Sequence, residues 1–142
     1  MGPSARPWRP LRLLLVTETF PPEVNGVART LGRWVEAFRG RGHAVAVVRP
    51  RQRGQPPAPG QVHGLPLPFY PDLRFGVASP LRLRRLFAAY GPDLVHVATE
   101  GPLGLATLLA AARASACRSP AASTPTTTIT SPTTASVRWT GC

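Results

Sequence analysis

An asparagine–glycine pair lies between the first apolar run of the chain and a stretch with helical spacing. Residues 11–16 have the length and continuous hydrophobicity of a buried parallel strand. A proline-rich turn follows, and Asn25-Gly26 precedes the helical pattern. A helix N-terminus at the carboxyl end of a strand offers backbone N–H groups and a positive dipole to phosphate. Asn25 and Gly26 are therefore candidate diphosphate-binding residues, although Asn25 is equally a common N-cap and Gly26 a permissive helix-start residue.

A second candidate group follows the apolar run at residues 94–97. Glu100 and Gly101 come directly after this run and precede a proline-initiated helix. Ligand crevices form at the carboxyl ends of parallel strands, so Glu100 is the strongest acidic candidate for a polar contact with a ligand. The alternative is that Glu100 only complements the dipole of the following helix.

The sequence carries few signs of other chemistries. It has no Ser-His-Asp set, no Walker loop and no GxGxxG, which argues against a hydrolase, an NTPase or a dehydrogenase. Cys117 and Cys142 have no metal-ligand spacing, so we expect no metal site and a reducing, cytoplasmic location. No segment approaches the roughly 18 to 20 apolar residues of a membrane span, so any membrane contact would be peripheral.

The elements that would position these residues form a doubly wound α/β pattern. Predicted strands cover residues 11–16, 44–48, 62–69 and 94–97, and predicted helices begin after Asn25 and cover 80–90 and 102–112. The first helix places one apolar face inward, and that face comprises Val27, Leu31, Trp34, Val35 and Phe38. The last helix is apolar nearly all round, which predicts that it is buried.

The ends of the chain differ from this core. Residues 1–10 are a Pro/Arg lead-in, and residues 114–142 are Ala, Ser, Thr and Pro without period or acidic residues. Both segments are expected to be disordered, because they cannot bury enough apolar surface. The net charge is +11, and all 17 basic residues are arginine. The arginines form either a solvated basic surface or a patch for nucleic acid or anionic lipid.

Five landmarks appear in order: the first strand, Phe20-Pro21-Pro22, Asn25-Gly26-Val27, Gly42-His43 and Pro92-Asp93-Leu94-Val95-His96. From Leu11 to about Arg113 the chain resembles family-4 glycosyltransferases of GT-B fold. It is most similar to bacterial members that transfer mannose or a related sugar from a nucleotide donor. The resemblance implies a Rossmann-like domain over residues 11–113, which would be the amino-terminal, acceptor-side half of a GT-B cleft.

The resemblance also implies roles for the candidate residues. Asn25 and Gly26 would approach the donor diphosphate, and Glu100 and Gly101 would border the acceptor. Arg74, in an expected loop at residues 71–79, would meet an anionic acceptor or lipid head group, or else be a solvated loop arginine. Enzymes of this family retain the anomeric configuration and need no metal or cofactor beyond a GDP- or UDP-linked sugar. A carboxyl-terminal domain supplies the nucleotide site and a pair of glutamates, so no catalytic residue is assigned in this chain.

That second domain is missing from the sequence, so we expect the isolated chain to be inactive. The family continues after the last helix with a fifth strand and a Phe-His-Thr segment, which the tail lacks. Codons read one base earlier from Ala114 permit such a segment, so one hypothesis is that the tail is a frameshifted translation. Two other functions compete with the enzyme. One is a non-enzymatic basic protein that binds nucleic acid or anionic membrane, and the other is an inert gene fragment. For the enzyme itself, nucleic acid is not an expected partner.

Overall fold

The computed structural model describes residues 9–116, 127–131 and 134–138. Seven strands and three helices lie in these ranges. The strands are β1 (Arg12–Val16), β2 (Ala44–Pro50), β3 (Gln61–Leu67), β4 (Tyr70–Val77), β5 (Leu94–Val97), β6 (Thr127–Ser131) and β7 (Thr134–Arg138). The helices are α1 (Gly26–Gly40), α2 (Pro80–Tyr90) and α3 (Pro102–Ala116).

One sheet of order β4-β3-β2-β1-β5-β7-β6 organises the described residues. Strands β3, β2, β1 and β5 are parallel neighbours, and β4 pairs antiparallel with β3. Leu14 and Val16 of β1 face the core formed with α2 and α3, whereas Leu15 faces α1 on the other side. This alternation follows from the two-residue period of a strand and gives two apolar layers. The predicted Rossmann-like α/β fold is confirmed.

Local signals in the sequence explain where the helices begin and end. The side chain of Asn25 accepts a hydrogen bond from the backbone N–H of Ala28 and so caps α1. Gly42, just beyond α1, has a φ of 85°, a left-handed conformation that glycine adopts without strain. Ser79 caps α2 at its start, and Gly91 ends it in the left-handed region. Strands 94–97 and helix 80–90 are confirmed at their predicted bounds.

The prediction of a loop at residues 71–79 is wrong, because β4 occupies most of this segment. Tyr70–Val77 pairs with β3 across a short turn, with Leu65 opposite Phe75 and Pro66 opposite Arg74. The antiparallel partner satisfies backbone groups that a loop would leave to solvent, and Pro66 in β3 and Pro68 in the turn conceal the pairing at the sequence level. Arg74 therefore lies on a strand and not in a loop.

Two predicted helix faces also need correction. On α1 the buried residues are Ala28, Leu31 and Val35, while Val27 and Trp34 are substantially exposed. Helix α3 is not buried all round, because it packs one side on the sheet and leaves an exposed leucine stripe. That stripe consists of Leu105, Leu108 and Leu109. Composition alone does not decide which side of an apolar helix meets the sheet.

Most of the predicted tail lies outside the described residues, as do the first eight residues of the lead-in. Helix α3 continues to Ala116, and strands β6 and β7 form an antiparallel hairpin in which β7 pairs antiparallel with β5. The composition of this segment predicts no strand. Open N–H and C=O groups at the edge of β5, together with the β-branched residues of the hairpin, account for the pairing.

Candidate functional site

Three loops meet at the carboxyl edge of the parallel strands. Val16 of β1 lies between Val48 of β2 and Val97 of β5 in the strand register. The chain beyond β1 stays bonded to both neighbours, since Thr17 N–H donates to the carbonyl of Val48 and Ala98 N–H donates to that of Val16. The loops after β1, β2 and β5 therefore lie side by side, where open α/β sheets bind ligands.

The loop between β1 and α1 is held by polar side chains. The hydroxyl of Thr19 donates to Oε2 of Glu23 at 2.5 Å and accepts from Nδ2 of Asn25 at 2.6 Å. Oδ1 of Asn25 accepts from the Ala28 N–H at 2.7 Å. Gln52, in the loop after β2, donates to Oε1 of Glu23. Asn25 thus fixes the entry into α1 with both ends of its amide.

The N-terminus of α1 is open to solvent. Gly26 is exposed, and a Cβ at this position would meet no atom within 4 Å. Its φ is not positive, so the backbone conformation does not require glycine here. By helix geometry the N–H groups of Gly26 and Val27 have no partner within the helix. This end of α1 can therefore accept an anion without rearrangement.

Glu18, which directly follows the buried strand β1 and Thr17, joins three elements through a buried carboxylate. Its side chain is 8% exposed. Oε2 accepts from the N–H of Gly76 in β4 at 2.5 Å, and Oε1 accepts from the N–H of Leu103 in α3 at 2.9 Å. The N–H of Glu18 itself donates to the hydroxyl of Thr99 at 2.7 Å. The carboxylate therefore lies at the N-terminus of α3 and ties β4 to the candidate site.

Burial raises the pKa of the Glu18 carboxyl above its usual value of 4.5, and the hydrogen bonds from Gly76 and Leu103 partly oppose this effect. Between pH 4.5 and the raised value the folded chain binds more protons than the unfolded chain. This contribution to stability is therefore lost as pH rises through that window. Burial lowers the pKa of His96 from its usual value of 6.5. Below pH 6.5 the folded chain therefore binds fewer protons at His96 than the unfolded chain, and this contribution lowers the free energy of unfolding as pH falls.

We therefore predict that the difference in free energy of unfolding between Glu18→Gln and the wild type grows in favour of the variant as pH rises above 4.5. Comparing the two proteins cancels the His96 contribution. Urea titrations at a series of pH values would measure the difference. A difference independent of pH would contradict the raised pKa.

The residues predicted to border the acceptor have different environments. Glu100 is exposed at the rim of the loop after β5. Gly101 lies against Glu18, and a Cβ there would stand 2.5 Å from Oε1 of that carboxylate. Arg74 is half-buried, and one of its guanidinium nitrogens lies 3.4 Å from the Gly64 carbonyl oxygen. Glu18 thus contacts Gly101 directly and is hydrogen-bonded to Gly76, which lies two residues from Arg74 in β4.

The comparisons with known proteins identify the family of this chain. The profile of Glycosyltransferase Family 4 matches residues 24–134. The chain belongs to glycosyltransferase family 4. No solved structure matches it. Within residues 9–116, 127–131 and 134–138 no cluster of His, Cys, Asp and Glu could hold a metal, and no helix is long and apolar enough to cross a membrane.

Three curated relatives that the chain matches share the same name. A GDP-mannose-dependent alpha-mannosyltransferase of Mycolicibacterium smegmatis is 37% identical over 110 residues, 71% of this chain and 29% of the relative. Proteins of the same name from Corynebacterium glutamicum and Mycobacterium tuberculosis are 32% and 33% identical over 72% of this chain, and 27% and 29% of the relatives are covered. The chain thus spans less than a third of the length of the relatives it matches.

Sequence reasoning missed the residues that hold this candidate site together. No local pattern in the sequence assigns a role to Glu18, Glu23 or Gln52. One usable signal was the position of Glu18, a carboxylate next to the carboxyl end of a buried strand. Its partners Gly76 and Leu103 are 58 and 85 residues away, so no local pattern points to them.

Proposed function

We propose that this chain is the amino-terminal, acceptor-side domain of a glycosyltransferase that moves mannose from GDP-mannose to a lipid or glycan acceptor. The donor is taken from the names of the relatives. The observation that carries the proposal is the solvent-open N-terminus of α1 at the carboxyl edge of β1, where Gly26 leaves room for a ligand. A helix N-terminus in this place is suited to a diphosphate.

In this proposal the backbone of α1 contacts the diphosphate, and Asn25 positions that backbone. The amide of Asn25 is engaged with Ala28, Thr19 and Glu23, so it is not needed as a direct donor to phosphate. The N–H groups at the start of α1 and the helix dipole would stabilise the negative charge that develops on the leaving nucleoside diphosphate. No metal is required for that contribution.

The acceptor would lie beside this loop, on the β5 side. The exposed carboxylate of Glu100 is suited to accept hydrogen bonds from sugar hydroxyls. Gly101 would keep Glu100 in place by fitting against Glu18, and Arg74 would contribute a positive charge at the same edge. A lipid acceptor would bring this edge to a membrane surface without a spanning helix.

We infer that the chain alone does not turn over the donor. Catalysis requires groups that bind the transition state more tightly than the substrate, and we expect these on a second domain that faces this edge. The small share of the relatives' length that the chain covers supports this division.

The test separates ligand binding from folding with two exposed helical glycines. Gly26 and Gly40 begin and end α1, and neither has an atom within 4 Å of a Cβ position. We expect Gly26→Leu to weaken GDP-mannose binding by about tenfold or more, the loss of roughly one charge-assisted hydrogen bond, because its side chain would cover the helix N-terminus. Isothermal titration calorimetry on the full chain would measure the effect.

Gly40→Leu is the matched control, and it should leave GDP-mannose binding unchanged. Neither change should destabilise the fold, because leucine has a higher helix propensity than glycine. Equal affinities for the two variants, or no binding by the wild type, would contradict the donor proposal. Salt-sensitive binding of duplex DNA without any response to GDP-mannose would favour the nucleic-acid alternative.

A further inference from the structure

A second concave surface lies at the β3–β4 side of the sheet and is lined by several positive charges. It is a pocket of about 470 Å³ between the β2–β3 loop, β3, β4 and the start of α2. We call it the arginine groove, defined by the charged lining residues Arg51, Arg53, Arg74 and Arg82. No aspartate or glutamate is among the described residues that line it. The described lining thus carries four positive side chains and no negative one.

Among the described side chains, no carboxylate neutralises the arginines of this groove. Arg51 donates to the Gln55 carbonyl at 3.0 Å, while Arg74 and Arg82 lie 3.4 Å from backbone carbonyls. Among the described side chains, none of the groove arginines pairs with a carboxylate; the described ion pair is Arg9–Asp93, at the amino ends of β1 and β5. Guanidinium groups gathered without counter-charges repel one another unless an anion joins them.

The backbone is shaped to bring two of these arginines together. Gly64 is buried in β3, and a Cβ there would stand 2.8 Å from the Arg51 carbonyl oxygen and 3.2 Å from Cδ of Arg74. Any larger residue would push the Arg74 side chain away from the β2–β3 loop. Glycine at this position therefore lets β4 lay Arg74 across β3 beside the segment that carries Arg51 and Arg53.

The groove borders the proposed donor loop. Gln52 lines the groove and also donates to Glu23, which holds the β1–α1 turn. A ligand in the groove would therefore lie at the same edge as a donor at α1. We propose that the arginine groove binds the anionic group, a phosphate or carboxylate, of the acceptor. Naming this ligand as the acceptor rests on the proposed function; the anion site itself stands on the groove geometry.

The test uses the full chain, inorganic phosphate and no sugar donor, so its failure leaves the α1 proposal untouched. The variant Arg51→Gln/Arg74→Gln removes two groove charges. Arg33→Gln/Arg41→Gln removes two charges from exposed positions at α1 and is the matched control. We expect the groove variant to raise the phosphate dissociation constant at least about tenfold, since charge-assisted hydrogen bonds are lost, and the control to change it less than about twofold.

A second arm identifies the source of the anion. Vesicles of phosphatidylglycerol and phosphatidylcholine in equal parts are compared with vesicles of phosphatidylcholine alone. If the wild type and the control bind the anionic vesicles and the groove variant does not, the acceptor is carried by a lipid. Phosphate binding without vesicle binding indicates a soluble anionic acceptor. Equal losses in both variants, or no binding of phosphate or anionic vesicles by the wild type, would overturn the proposal.

Discussion

Glu18→Ala is expected to lower the free energy of unfolding by about 3 kcal/mol, because two buried backbone donors lose their acceptor. The N–H groups of Gly76 and Leu103 both donate to this carboxylate, and each would be left unsatisfied away from water. The loss also removes the hydrogen-bonded link between β4 and α3. Removing a partly desolvated charge offsets some of the cost, since burial raises the pKa of the carboxyl.

Equilibrium urea unfolding followed by circular dichroism would measure this change. Glu36→Ala is the matched control, since Glu36 is exposed on α1 and its removal should change stability by less than about 0.5 kcal/mol. A loss of about 3 kcal/mol is a large part of the roughly 5–15 kcal/mol that stabilises a typical domain. If Glu18→Ala behaves like Glu36→Ala, the carboxylate does not link the three elements.

Gly101→Ala is expected to cost about 2 kcal/mol, and this cost should vanish when Glu18 is also alanine. The added Cβ would stand 2.5 Å from Oε1, 2.9 Å from Cγ and 3.0 Å from Cδ of Glu18. Because the carboxylate is held by two backbone donors, it cannot move aside without losing a hydrogen bond. Overpacking of this kind typically costs about 1–3 kcal/mol.

A double-mutant cycle measures the coupling between the two positions. We expect a coupling energy of about 1–2 kcal/mol, because the clash requires both side chains to be present. Gly26→Ala serves as the control, since its Cβ would meet open space. Strictly additive changes would mean that Gly101 does not pack on Glu18. That result would leave Gly101 with the acceptor-border role alone.

The cycle also bears on the proposed function. Glu100 is adjacent to Gly101 and is the exposed carboxylate at this edge. A displaced Gly101 would move Glu100 and the start of α3 together, so a change in stability and a change in acceptor binding should accompany each other. The proposed acceptor edge thus rests on the buried carboxylate of Glu18, which has no proposed contact with substrate.

Much of the local structure could be predicted from the sequence. Residues 94–97 and 80–90 form the strand and helix that their hydrophobic patterns predict, and Asn25 caps α1 as expected. These features depend on neighbours in the chain: a buried parallel strand is continuously apolar, and caps and helix ends follow from single residue types. The same reasoning placed Asn25, Gly26 and Glu100 beside strand ends.

Other features required contacts between distant residues. Strand β4 was predicted as a loop, because prolines and Arg74 conceal its pattern until it pairs with β3. The exposed side of α3 is decided by which face meets the sheet, since most of its residues are apolar. The arginine groove depends on Gly64, and nothing in the predicted strand at residues 62–69 indicates that this glycine lies against Arg51 and Arg74.

The sequence by itself determined the order of the four parallel strands and three helices, the capped start of α1 and the family resemblance. Each depends on residue types at short spacings, where local sterics and hydrogen bonding act. Only the tertiary structure decided that Glu18 joins β1, β4 and α3, and that four arginines line one groove. A buried carboxylate and a gathered set of charges exist only when segments far apart in the chain pack together, because burial and proximity are properties of the folded molecule.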